Sequence, residues 1–211
     1  MRTIDWYFDF ISPYAYMQWM QFDRIPGDVS VNLKPVLLAG LLNHWGTLGP
    51  AEVAPKRRFT YRHTLWLAQH RGIEFRMPPQ HPFNPLPALR LAVALEARPE
   101  VVDAIFRHLW RDGRSLDDRE NWEALGQRFG VESMGALLSR AEVKERLRAN
   151  TETAIADGVF GVPTFVASAE IFWGFDATDM LLEFLADPGL FEDEEMRRVS
   201  DLPIAAARKQ T

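Results

Sequence analysis

The sequence predicts a mixed α/β domain whose strands are separated by a long helical stretch. Three observations lead there. Alternation opens the chain, with Ile4, Trp6, Phe8 and Phe10 set against Asp5, Tyr7 and Asp9, and it returns over residues 29 to 34. From about Leu41 to Asp157 the period is helical and nothing reads as a strand. After Gly161, strand signals come back in Pro163-Thr164-Phe165-Val166-Ala167 and in Glu170-Ile171-Phe172-Trp173. A strand-bearing unit interrupted by a helical insertion accounts for all three.

The first strand runs into Phe10-Ile11-Ser12-Pro13-Tyr14 and then into the helix-compatible Tyr14-Ala15-Tyr16-Met17-Gln18-Trp19-Met20. Serine followed by proline at such a junction reads as an N-cap and a first helical position. The helix fades at Pro26-Gly27, and the second alternating run completes the opening of a βαβ unit. Helices are expected near residues 52 to 71, 85 to 97, 99 to 112, 118 to 129, 133 to 138 and 140 to 157. They are punctuated by Gly72, Met77-Pro78-Pro79, His81-Pro82, Pro99, Gly113 and Gly130. A last core helix is expected near 177 to 186, and Glu192-Asp193-Glu194-Glu195 marks a solvated tail or a terminal helix. The domain layout is therefore 1–40 with 158–211 for the α/β unit, and 41–157 for the insertion.

Composition narrows the function. With 211 residues, 47% of them hydrophobic, the chain can bury a sizeable core. A net charge of −5, with Lys and Arg dispersed among Asp and Glu, gives no basic stripe for nucleic acid. No apolar run is long enough for a membrane span, and Met1-Arg2-Thr3 leads into a strand rather than a signal peptide, so a cytoplasmic protein is expected. The chain has no cysteine. That excludes disulfides, thiolate metal sites and any mechanism using the protein's own sulfur.

Ser12 is either a simple helix cap or a group facing an anion at the helix start. Pro163 is either an edge-strand proline or the site of a cis bond after a Gly-rich turn. Asp176 reads as a carboxylate at a helix start, and Lys56 as a solvated lysine. His63 and His70 are seven residues apart, on one helix face but two turns from each other, too far to share a metal; His44, His81 and His108 add no ligand spacing. No metal site is expected.

Five ordered motifs then carry a resemblance. They are Asp9-Phe10-x-Ser12-Pro13-x-x-Tyr16, Pro35-x-Leu37-Leu38, Asn84-x-Leu86-x-Ala88-x-Arg90, Gly158-Val159-Phe160-Gly161-Val162-Pro163-Thr164-Phe165 and Phe172-Trp173-Gly174-x-Asp176. Over residues 4 to 186 the chain resembles the 2-hydroxychromene-2-carboxylate isomerases and the related kappa-class glutathione transferases, and Trp110-Arg111-Asp112-Gly113-Arg114 fits a turn between two helices of that family's insertion. The resemblance implies a thioredoxin-like fold of the DsbA type with an inserted all-helical domain, glutathione as cofactor, a homodimer, and a small aromatic carboxylate as substrate. It also implies roles. Ser12 would hydrogen-bond the glutathione sulfur, the backbone of Val162 beside Pro163 would pair with the cysteinyl part, Asp176 would take the γ-glutamyl ammonium, and Lys56 would face a carboxylate. A hydrogen bond to a charged group contributes about 1.5 to 3 kcal/mol, which lowers a thiol pKa by roughly one to two units.

The departures lie on the substrate side. Asn43 stands where a lysine is expected, His63 and Trp66 where Asp and Arg are, His81 where Phe precedes Pro, and Phe175 where a polar residue adjoins Asp176. Asn43, His63, Trp66, Asn84 and Phe175 are the candidate substrate contacts, with Trp45, Phe59 and Phe83 as further aromatic walls. The expected reaction is glutathione-dependent cis–trans isomerisation of an aromatic conjugated keto acid in the breakdown of aromatic compounds. The alternatives are conjugation of glutathione to an electrophile, or glutathione binding without catalysis.

Overall fold

Four strands carry the opening expectation into three dimensions. The computed structural model describes residues 2–206, and in it β1 (Arg2–Phe8), β2 (Val29–Pro35), β3 (Thr164–Ala167) and β4 (Glu170–Trp173) form one sheet in the order β2-β1-β3-β4. β1 and β2 run parallel, with Arg2 opposite Val29 and Phe8 opposite Pro35. A parallel pair needs a crossover, and α1 (Pro13–Trp19) lies in it. β3 runs antiparallel to both β1 and β4, pairing Tyr7 with Thr164 and Thr164 with Trp173.

Between β2 and β3 lie α2 (Leu38–Trp45), α3 (Ala54–Arg71), α4 (Leu86–Ala94), α5 (Pro99–Phe106), α6 (Arg119–Gln127), α7 (Met134–Ser139) and α8 (Ala141–Ala156). Six match helical periodicity read from the sequence, although α5 continues as a π-helical turn over Arg107–Arg111. α2 is the unexpected one. It starts inside the stretch assigned to the first α/β segment and has no side-chain cap of its own at Leu37. The Leu38 N–H instead donates to Asp9 Oδ2 at 2.9 Å, a cap supplied by the end of β1.

The alternation in β1 does not mark a solvent face. Because β1 is an interior strand covered on both sides, Tyr7 and Asp9 are as buried as Trp6, Phe8 and Phe10. On one face Trp6 and Phe8 stack at 4.4 Å and continue to Phe106. On the other, Tyr7 packs with Val36, Leu41, Ala154 and Val159, and its hydroxyl donates to the Asp157 carboxylate. The first cluster runs without a break from the sheet into α4, α5 and α8, so strands and helices share one core. After β4 come α9 (Thr178–Ala186) and α10 (Glu194–Ser200), which makes the acidic run the start of a terminal helix. Among the described residues no helix is long and apolar enough to cross a membrane.

Candidate active site

The turn from Asp9 to Ser12 leaves the C-terminal end of β1, and most of its peptide groups are individually held. Phe10 C=O accepts from Trp110 Nε1 at 2.8 Å, and Ile11 C=O accepts from His81 Nε2 at 2.8 Å. The Ile11 N–H donates to Asp9 Oδ1 at 3.1 Å, and the Ser12 N–H to Asp9 C=O at 3.0 Å. Buried peptide groups need such partners, and here they also immobilise the loop. Ser12 Oγ accepts from the Ala15 N–H at 3.2 Å and is 7% exposed, the N-cap expected from the sequence. A serine hydroxyl that accepts in this way keeps its own proton to donate. Pro13 has no N–H, and the N–H groups of Ala15 and Tyr16 are used by Ser12. The remaining first-turn donor is the Tyr14 N–H. With only seven residues, α1 adds little dipole, so stabilisation of an anion here rests on these hydrogen bonds.

Pairing of Tyr7 with Thr164 sets Val162 and Pro163 at the same end of the sheet as Ser12. The Val162–Pro163 peptide bond is cis. Thr164 Oγ1 donates to Gly161 C=O at 2.8 Å, and the Gly174 N–H to Pro163 C=O at 2.8 Å. Neither peptide group of Val162 has a hydrogen-bond partner among the described residues. Unpaired groups beside a strand are a template for an extended peptide.

Gln18 ties the third part of the site to the first. Fully buried on α1, it accepts from Trp6 Nε1 at 2.7 Å and donates through Nε2 to Gly174 C=O and Thr178 Oγ1, each at 3.0 Å. Asp176 follows in the 3₁₀ turn Phe175–Ala177, exposed and without an ion-pair partner among the described residues. Gly174 is required for this turn. Its φ is +95°, and a Cβ there would lie 2.5 Å from Asp176 Oδ1. Gly174→Ala is expected to cost about 1 to 3 kcal/mol of stability through backbone strain and to displace Asp176. A urea titration measures the first effect, and an unchanged midpoint would contradict it.

α3 lies alongside both ends of the loop. From one side, His63 Nδ1 meets the Tyr14 hydroxyl at 2.9 Å. Burial first, and the negative charge of Asp176 second, raise the Tyr14 pKa, so the proton stays on the phenol. His63 belongs to a row of rings. Phe59 stacks on it at 5.5 Å, Trp66 at 6.0 Å, and His70 packs on Trp66 at 4.0 Å. Phe59 is 67% and Trp66 51% exposed, and Lys56 stands on the same helix face two turns before His63. From another side, Tyr61 reaches His81. Arg57, Arg58, Tyr61 and Arg62 line a shallow cavity of about 370 Å³ with Ala54.

The remaining expected substrate contacts are placed differently. Phe175 is 7% exposed and fills the seam between α1 and α3 against Met17 and Ala68, so protein packing occupies it. Asn84 is exposed just before α4, and its Oδ1 accepts the Leu86 N–H at 3.1 Å. Asn43 is exposed on α2, whose Trp45 donates to Val159 C=O at 3.0 Å and moors that helix to the segment leading into Val162. Phe83 packs on Trp110 beside His81 rather than with Phe59 and Trp66. Tyr14, Tyr61 and Asp9 were not singled out as site residues from the sequence. Asp9 is fully buried, and burial pushes its carboxyl up to about 7 against the opposing pull of the Leu38 and Ile11 N–H groups. Its place within the Asp9-Phe10-x-Ser12-Pro13 motif was the available signal.

A βαβ opening, a helical excursion, and an antiparallel hairpin entered at a cis-proline opposite the first helix make up the thioredoxin arrangement. The chain belongs to the DSBA-like thioredoxin domain family, whose model matches residues 3–186. It is 28% identical over 200 residues to the 2-hydroxychromene-2-carboxylate isomerase of Sphingobium xenophagum, covering 88% of this chain and 99% of that one. Over 209 residues it is 26% identical to glutathione S-transferase kappa 2 of Caenorhabditis elegans, covering 89% and 93%. A solved 2-hydroxychromene-2-carboxylate isomerase matches the fold with a TM-score of 0.75 at 23% identity, over 96% of this chain and 100% of that one.

Proposed function

We propose that the protein is a glutathione-dependent isomerase of the 2-hydroxychromene-2-carboxylate isomerase type, acting on an aromatic conjugated keto acid. The observation that carries this reading is the free proton of the Ser12 hydroxyl on a loop most of whose peptide groups are already held, in a chain without cysteine. Such a site suits a borrowed thiolate. Three features fit glutathione: Ser12 Oγ–H with the Tyr14 N–H for its sulfur, the unpaired Val162 peptide groups for its cysteinyl backbone, and the Asp176 carboxylate for its ammonium. Lys56 would take a carboxylate of the tripeptide.

When bound, glutathione supplies a thiolate that adds to the conjugated carbon and leaves again, making a double bond transiently single and free to rotate. The protein's part is positional and electrostatic. Ser12 would donate to the sulfur and favour its ionised form near neutral pH, and Tyr14 keeps the proton of its hydroxyl, which meets His63 Nδ1. His63 and Trp66, on the exposed ring stack of α3, offer a flat face to an aromatic substrate. The N-terminal half of α3 carries Lys56, Arg57, Arg58 and Arg62 with no carboxylate within 4 Å among the described residues. That local positive potential attracts an acidic substrate to a molecule of net charge −5.

The test supplies 2-hydroxychromene-2-carboxylate and related benzylidenepyruvates with and without glutathione, and follows the spectrum and product mass. The expected result is a glutathione-dependent spectral change, a product of unchanged mass, and recovered glutathione. A product carrying the tripeptide would identify a conjugating transferase instead, and binding without turnover would identify a non-catalytic glutathione-binding protein.

A further inference from the structure

We propose that His81 is a positioning residue for Ser12: its Nε2–H sets the plane of the Ile11–Ser12 peptide. The consequence for a bound thiol rests on the reading above, whereas the geometry stands without it.

The Ile11–Ser12 peptide is held at both ends. Its N–H donates to Asp9 C=O at 3.0 Å, and its C=O lies 2.8 Å from His81 Nε2. A carbonyl only accepts, so Nε2 carries a proton. The other ring nitrogen, Nδ1, lies 2.8 Å from the Tyr61 hydroxyl, which is also 2.5 Å from the carbonyl of His81 itself. The Tyr61 hydroxyl donates to the His81 carbonyl at 2.5 Å, and its single proton can serve Nδ1 of a neutral ring only by leaving that carbonyl. In the protonated ring Nδ1–H donates to the Tyr61 oxygen, whose proton stays on the His81 carbonyl. Both states keep Nε2–H on Ile11, so the clamp survives titration.

The surroundings favour the neutral state. Burial lowers the His81 pKa. From α3, Arg57, Arg58 and Arg62 line a cavity with Tyr61, and the bond to the Ile11 carbonyl opposes the effect of burial on His81. Trp110, at 5.5 Å, and Phe83, at 5.8 Å, pack against the ring without charge. The buried Asp9 reaches the same loop through the Ile11 N–H rather than through His81.

Rotation of the Ile11–Ser12 plane changes φ of Ser12 and swings its Oγ, whereas a productive site tolerates about 0.5 Å of error. Phenylalanine, the residue the family resemblance leads one to expect at this position, can keep the packing on Trp110 and Phe83 but supplies no donor to Ile11. His81→Phe is therefore a clean probe, and His81→Gln, which can return an N–H toward Ile11, is its rescue.

The experiment records the Ser12 amide resonance and its hydrogen exchange in the unliganded protein, then glutathione affinity, for the wild type and both variants. His81→Phe is expected to shift the Ser12 amide and to weaken glutathione binding about tenfold above the thiol pKa, with His81→Gln recovering both. An unmoved Ser12 amide in folded His81→Phe, or a glutamine variant no better than phenylalanine, would overturn the role. The wild-type imidazole nitrogens should report a proton on Nε2, and an unprotonated Nε2 would overturn its bond to Ile11. A wild type that fails to bind glutathione refutes the functional reading, while the Ser12 amide still decides the role of His81.

Discussion

Replacing Ser12 with alanine is expected to raise the thiol pKa of bound glutathione by roughly one to two units. The hydroxyl is poised for this because Oγ accepts from the Ala15 N–H and so has its proton free for an anion. Hydrogen bonding to the charged form lowers a pKa, and losing it sends the thiol back toward its solution value. At neutral pH the thiolate fraction and kcat/KM should fall by roughly ten- to a hundredfold and recover as pH rises past the new pKa. The same substitution uncaps α1 and should cost about 1 kcal/mol of stability. A denaturation curve separates that loss from the thiol effect, and thiolate absorbance against pH measures the thiol directly. An unchanged titration in the alanine variant would remove Ser12 from the chemistry.

The second large effect concerns Asp9. Its carboxyl titrates near 3.8 unfolded and is pushed up to about 7 when buried. Below the unfolded value it is neutral in both states and costs nothing. As pH rises from 3.8 toward 7 the unfolded chain releases the proton while the native protein keeps it, so stability falls with pH across that window and levels off above it. The full loss is about 4 kcal/mol. Asn at this position removes the titration but can accept only one of the Ile11 and Leu38 N–H groups, a nearly constant penalty of about 1 to 3 kcal/mol. Urea midpoints from about pH 4 to about pH 8 should therefore show the wild type losing ground relative to Asp9→Asn. Parallel curves would contradict a buried, proton-retaining Asp9.

The elements that could be read in advance are those whose signal is local. Ser12-Pro13 announces a cap because the hydroxyl bonds three residues on, and α3 to α8 announce themselves by apolar period and by Gly and Pro breaks. α2 escaped because its cap comes from Asp9, 29 residues upstream. The alternation in β1 gave no sign that Tyr7 and Asp9 are buried, because a period of two does not tell whether the second face of a strand is covered. The proposed thiol half of the site, Ser12 with Val162, Pro163 and Asp176, rests on motifs that a single chain displays. The substrate half depends on which faces of α2 and α3 meet the loop, and side-chain type does not reveal that. Phe175 and Asn84 show the difference: one fills the α1–α3 seam and the other bonds the Leu86 N–H at the start of α4. His63 was singled out for its departure from the family pattern, but its bond to Tyr14 depends on how two distant helices pack.

The central claim is that the chain holds a borrowed thiolate at Ser12. A crystal structure of the glutathione complex tests it most directly. The account predicts the sulfur within about 3.5 Å of Ser12 Oγ, with the cysteinyl peptide paired to the backbone of Val162. A tripeptide bound with its sulfur turned away from Ser12, or lodged elsewhere on the molecule, would contradict it.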